Sequence, residues 1–172
     1  MSKVFKQLLD VKSEKGAGYI VLIDPDRKNE DTLVKQVTVA NKSNVDALFV
    51  GGSLMMDSKH NERVAVIKKE ADIPVIFFPG GLNQLNQYYD AILFMSLLSG
   101  RNPQYLIGEQ VHAAPIIQAY DLEPIATGYI LIGSDSITSA EFMSNTRPIP
   151  RDKSTIAVAH ALAAEYLGMH MV

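Results

Sequence analysis

The chain has 172 residues, the length of one ordinary domain able to bury a respectable core. Its 47% hydrophobic and 20% charged residues exclude a disordered chain, and a formal charge of -3 without any basic run gives no reason to expect a nucleic-acid partner. With no cysteine, disulfides and thiolate metal sites are excluded, which fits a cytoplasmic location.

The first residues, MSKVFKQLLDVKSEKG, are charged and periodic, unlike a signal peptide. Val4, Leu8, Leu9 and Val11 fall near helical spacing and predict a helix over 2–15, stopped by Gly16 and Gly18. A strand over 19–24 follows, then a helix over 30–43 with Leu33, Val37 and Ala40 on one face. Next come a strand over 46–50, a helix over 59–71 with Val64, Ile67 and Ala71 on one side, and a strand over 74–78 closed by Pro79-Gly80-Gly81. These strands read as continuous apolar runs. That pattern predicts a parallel sheet buried on both faces, with no segment of about eighteen apolar residues that would span a membrane.

Only LNQLNQYY, residues 82–89, separates the third strand from a fourth over 90–95. A parallel crossover needs about a dozen residues or more, so the third helix is read as missing and replaced by a short extended link. After the turn Ser99-Gly100-Arg101-Asn102-Pro103 a helix over 104–119 is predicted, with Pro115 expected to kink it. A fifth strand over 123–132 contains Gly128, which marks a bulge or a close approach. A loop over 133–152 leads to a last helix over 154–167, capped by Gly168. An apolar strand begins at Met169-His170-Met171-Val172.

Two strand ends carry the chemistry. GYIVLIDPDR delivers Asp24 and Asp26; DALFVGGS delivers Gly51, Gly52 and Ser53. Ligands of α/β proteins gather beyond the carboxyl ends of the strands. Pro25 fixes the turn and pushes Asp24 into an extended conformation, and Asp26 reads equally as turn chemistry. Gly51 and Gly52 leave room for a ligand or turn backbone N–H groups toward an anion, and Ser53 alone would read as a helix cap. One carboxylate and one hydroxyl form a partial shell for a hard cation such as Mg²⁺. Pro79-Gly80-Gly81 lines the same cavity or is a tight turn. His112, His160 and His170 have no zinc-site spacing, and His60 is expected to be exposed at a helix start. Tyr129 is a core tyrosine or a phenol reaching a pocket.

In this order, LIDPDR, FVGGS, IPVIFFPGG, DAILFMSLLSGRNPQYLIGEQ, EPIATGYILI and AHALAAEYLGMHMV resemble the geranylgeranylglyceryl phosphate synthase family, which includes the bacterial heptaprenylglyceryl phosphate synthases. The resemblance runs from about residue 4 onward and implies a modified TIM barrel whose third helix is an extended segment. It implies Mg²⁺-dependent transfer of a long prenyl group from its diphosphate to the hydroxyl of sn-glycerol 1-phosphate, giving an ether-lipid precursor. By position, Asp24 and Ser53 correspond to the Mg²⁺ site that holds the prenyl diphosphate, flanked by Gly51 and Gly52, and Tyr129 to a tyrosine near the reacting centre. It also implies a homo-oligomer and transient contact with a membrane surface on product release.

A (β/α)8 barrel runs to about 250 residues. This chain is expected to be a single α/β domain, the N-terminal two-thirds of such a barrel: five β/α units and the start of a sixth strand. Family members continue into an aromatic-Leu-Glu-Ala-Gly-Ser-Gly segment carrying the catalytic base, then into two glycine-rich loops that bind the acceptor phosphate. The expectation is therefore a metal and diphosphate half-site that is inactive alone. Two other readings stand beside it. One is a non-catalytic fragment or assembly partner. The other is a haloacid dehalogenase-type phosphatase, because Asp24-Pro25-Asp26 resembles its DxD nucleophile, although Lys28 departs from that pattern.

Overall fold

A computed structural model of the protein describes residues 3–172, so Ser2, the first residue of the predicted N-terminal helix, lies outside the described residues. Five strands, β1 (Ile20–Ile23), β2 (Ala47–Val50), β3 (Val75–Phe77), β4 (Ala91–Leu97) and β5 (Glu123–Tyr129), form one sheet in sequential order. The pairings from β1 to β4 are parallel. The chain divides into two compact units, one built from the chain up to Ile92 with Ile117–Pro124, the other from Leu93–Ile116 with Ile125–Val172. No helix among the described residues is long and apolar enough to cross a membrane.

In the first unit α1 (Lys3–Lys15), α2 (Leu33–Lys42) and α3 (His60–Glu70) alternate with the strands. Leu33, Val37 and Ala40 of α2 are buried as their spacing predicts, as are Val64 and Ile67 of α3. β3 is buried throughout, and each such side chain withdrawn from water stabilises by about 1.5–3 kcal/mol. The expectation of burial on both faces fails at β1. Leu22 is 56% exposed there, because β1 stands at one end of the strand order and has a neighbour on one side only.

The register positions the site. Ile23 pairs with Val50, and Val50 with Phe77, so the chain leaves the three strands at one level. Between β3 and β4 there is no α-helix. A single 3-10 turn, Leu82–Gln84, leads into an extended link, as the short spacing requires. The link brings Tyr89 to stack on Phe77, ring centroids 4.7 Å apart, which covers β3 in place of a helix.

In the second unit a π-wound turn, Gln104–Gly108, with Ile107 exposed, runs into α4 (Glu109–Ala119), which contains Pro115 and leaves Val111 exposed. The loop predicted over 133–152 holds a short helix, α5 (Ser139–Ser144). Thr138 caps it, its Oγ1 accepting from Glu141 N at 3.1 Å. Six residues are too few to show a hydrophobic period, which is why the pattern reads as loop. The last helix, α6 (Ser154–Tyr166), ends at Gly168 with φ +76°, as predicted. Gly128 is a close approach: a Cβ there would stand 2.8 Å from Leu98 Cδ1 and 2.9 Å from Ala164 Cβ. Met171 bridges Thr127 in parallel, where a sixth strand was expected to begin.

Candidate active site

Asp24 leaves β1 into a 3-10 turn, Arg27–Thr32, and Asn29 Nδ2 donates to its carbonyl oxygen at 2.8 Å. Its carboxylate lies against the next strand end: a Cβ added at Gly52 would stand 2.6 Å from Asp24 Oδ1. Among the described residues this carboxylate forms no ion pair, while its neighbour Asp26 has Lys28 only at 3.9 Å. Burial raises the Asp24 pKa, the Asp26 charge raises it further, and Lys28 opposes them. An uncompensated carboxylate at a cleft is a group that gains from a cation.

The ends of β2 and β3 are pressed together. A Cβ at Gly51 would fall 1.9 Å from the Phe78 carbonyl oxygen, and one at Gly80 1.9 Å from that of Gly52. Glycine is required for space at both. Gln84, from the link that replaces the third helix, holds the same backbone: Nε2 donates to Gly52 O at 2.7 Å, and Oε1 accepts from Gly52 N at 3.5 Å. At 2% exposure this amide has no competing water, so the clasp fixes the strand-end conformation.

The third wall comes from α3. His60 and Arg63 share its buried face with Val64 and Ile67. The expectation that His60 is exposed is therefore corrected: it is 5% exposed, its Nε2 lies 3.2 Å from Tyr89 Oη, and burial lowers its pKa. Arg63 forks onto Asp57, Nη1 to Oδ1 at 2.8 Å and Nη2 to Oδ2 at 2.7 Å, which holds the Asp57 pKa down to about 2. A small cleft, open to solvent, lies between these groups. Asp24, Asp26, Gly52, Asp57, His60 and Arg63 line it, with Leu54, Met55 and Met56 as its apolar part.

Of the residues singled out in the sequence, Asp24 and Gly52 meet at this cleft. Gly51 is buried behind it, and Ser53 is exposed and outside the lining. Tyr129 lies in the second unit at the end of β5, half-buried, with its phenol pKa raised by burial. Gln84, Asp57 and Arg63 were not anticipated. Arg63 had a readable signal: it falls three residues after His60 and four before Ile67, at the spacing of the buried face.

No group of three or more His, Cys, Asp or Glu is gathered for a metal among the described residues. Mg²⁺ bound with a diphosphate needs no such cage, since it is held by one or two carboxylates, waters and phosphate oxygens. The unpaired Asp24 oxygens fit that demand.

A parallel α/β sheet in sequential order, with a polar cleft at the carboxyl ends of its first strands, has the construction of a barrel-type enzyme. The profile of the PcrB family matches residues 9–172, and the chain belongs to that family. The geranylgeranylglyceryl phosphate synthase of Chitinophaga pinensis is 41% identical over 171 residues, covering 99% of this chain and 68% of the relative. That of Pyrococcus furiosus is 41% identical over 162 residues, 94% of this chain and 64% of the relative. Among solved structures, the (S)-3-O-geranylgeranylglyceryl phosphate synthase of Thermoplasma acidophilum, in complex with substrate sn-glycerol-1-phosphate, superposes with a TM-score of 0.85 at 33% identity. The match covers 98% of this chain and 67% of that one. The family membership displaces the phosphatase reading of Asp24-Pro25-Asp26.

Proposed function

We propose that this chain carries the prenyl-diphosphate half of a Mg²⁺-dependent prenyltransferase that moves a geranylgeranyl-like group to sn-glycerol 1-phosphate. The observation that carries this reading is the Asp24 carboxylate, seated against Gly52 at the cleft with no cationic partner among the described residues. The names of the relatives support the reaction, and the acceptor in the Thermoplasma complex supports the second substrate.

In this reading Asp24, with Ser53 from the neighbouring strand end, would hold Mg²⁺, which would supply positive charge to the diphosphate leaving group. Gly52 brings the backbone to the cleft beside Asp24, Gly51 packs it against the end of β3, and Gln84 keeps that backbone fixed. Leu54, Met55 and Met56 give the first apolar contacts for a prenyl chain. Tyr129 is assigned a place near the reacting centre. The fold is the modified barrel, of which these residues supply five β/α units. The acceptor-phosphate site is assigned to the part of the relatives that the chain does not span.

Calorimetric titration with geranylgeranyl diphosphate tests the reading. The chain is expected to bind it only with Mg²⁺, and Asp24→Ala to lose that binding by about 100-fold or more. Binding retained in Asp24→Ala would overturn the role given to Asp24. The 172-residue chain is expected to form no ether product from glycerol 1-phosphate, and turnover would contradict the assignment of the acceptor site.

A further inference from the structure

Arg63 touches both connections from which the proposed site is made. Its side chain is 4% exposed, and its two Nη groups are taken up by carboxylates from separate loops. Asp57 lies in the connection between β2 and α3, four residues beyond Ser53, and receives the guanidinium bidentately at 2.8 and 2.7 Å. Glu30 lies in the 3-10 turn that follows Asp24-Pro25-Asp26, and its Oε2 accepts from Arg63 Nη2 at 2.8 Å. Asp57 also accepts from the backbone N of Lys59 at 3.0 Å, which fastens its loop to the start of α3. One rigid cation on a helix thus spans the loop after β1 and the loop after β2.

A plain stabilising ion pair is the alternative, and two facts weigh against it. Burying an arginine with its partners is often no better for stability than an apolar side chain of the same size, so the network needs another reason to exist. The network is also incomplete: Arg63 Nε is buried with no hydrogen-bond partner, a cost that folded proteins rarely leave standing. Position supplies the reason. Arg63 and Asp57 line the same cleft as Asp24 and Gly52.

We propose that Arg63 is a positioning residue for the metal–diphosphate site, clamping the β1 and β2 connections so that Asp24 and the Gly51–Ser53 backbone face a single ligand. The inference rests on the reading that Asp24 serves that ligand. Arginine suits the task because its planar fork fixes two carboxylates in direction as well as distance, which a lysine ammonium does not. It acts on the ligand through the loops.

The test titrates Mg²⁺ with inorganic diphosphate into the chain and into Arg63→Lys, Glu30→Gln and Asp24→Asn, with a melting curve for each. Arg63→Lys is expected to weaken binding by about 10- to 100-fold, the usual effect of losing a group that orients metal ligands. Glu30→Gln removes one arm at a half-exposed site and is expected to weaken binding several-fold with an unchanged melting temperature. If Arg63→Lys does not fold, Glu30→Gln decides. Wild-type affinity in both variants, with Asp24→Asn inactive, would overturn the clamp alone. Wild-type affinity in Asp24→Asn would overturn the reading beneath it.

Discussion

At the ends where strands of the first unit begin, three carboxylates are tied down. Asp46, ahead of β2, accepts from Lys15 Nζ at 2.5 Å and from Tyr19 N at 2.8 Å. Asp90, ahead of β4, takes both oxygens to Lys68 at 2.6 and 2.7 Å and also accepts from Val75 N. Glu123, opening β5, accepts from Val4 N at 2.6 Å and Phe5 N at 2.7 Å in the first turn of α1. At the ends where the strands finish, Asp24 has a glycine for a neighbour, a second aspartate two residues away, and no cation in contact among the described residues. The Asp46 pKa is lowered by the Lys15 hydrogen bond first, whereas burial raises that of Asp24. The same functional group fastens elements at one end of the sheet and is held in reserve at the other. A barrel-type protein keeps stability and ligand chemistry at opposite ends of its strands.

This contrast breaks if substitutions at the two ends behave alike. The largest loss of stability is expected from Gly51→Ala, whose Cβ meets a carbonyl oxygen that cannot step aside, at about 3 kcal/mol in a denaturant titration. A loss below about 1 kcal/mol would mean that the strand ends are more yielding than they look. Next is Glu123→Ala, which strips two N–H groups of their acceptor. It is expected to cost about 1–3 kcal/mol and to leave Mg²⁺-dependent diphosphate binding unchanged. Asp46→Asn follows, with a loss under about 1 kcal/mol after solvent screening. Its contribution has a sign that a pH series of melts can read. The folded pKa is depressed, so the stabilisation is present above the ordinary carboxylate value and disappears as the pH falls through the folded value.

Much of the scaffold was legible because periodicity reports burial. Leu33, Val37, Val64 and Ile67 share helical faces, and β3 reads as an unbroken apolar run because it is covered on both sides. The missing helix was legible because eight residues are too few for a crossover helix with its loops. The six-residue α5 was not, having no period to show. At the site, Asp24 was legible from the strand–Asp–Pro junction. Gln84 and Asp57 were not, because their roles depend on which loops the fold brings together. His60 was obscured by a rule that holds on average, that polar residues in a helix are solvated; Arg63 showed the spacing of the buried face against the same rule, and here the chain supplied partners that let both be buried.

The most direct measurement is on Asp24→Asn, with melting temperature and Mg²⁺-dependent prenyl diphosphate binding read on the same sample. The folded pKa of Asp24 is raised, so its ionised form at neutral pH weakens the fold. Replacing it is expected to raise the metal-free melting temperature, by less than about 1 kcal/mol of stability, with the gain vanishing at acid pH where the native carboxyl is itself neutral. The same variant is expected to lose Mg²⁺-dependent binding. A lower melting temperature, or binding that survives, would contradict the view that this carboxylate is kept unpaired for a ligand.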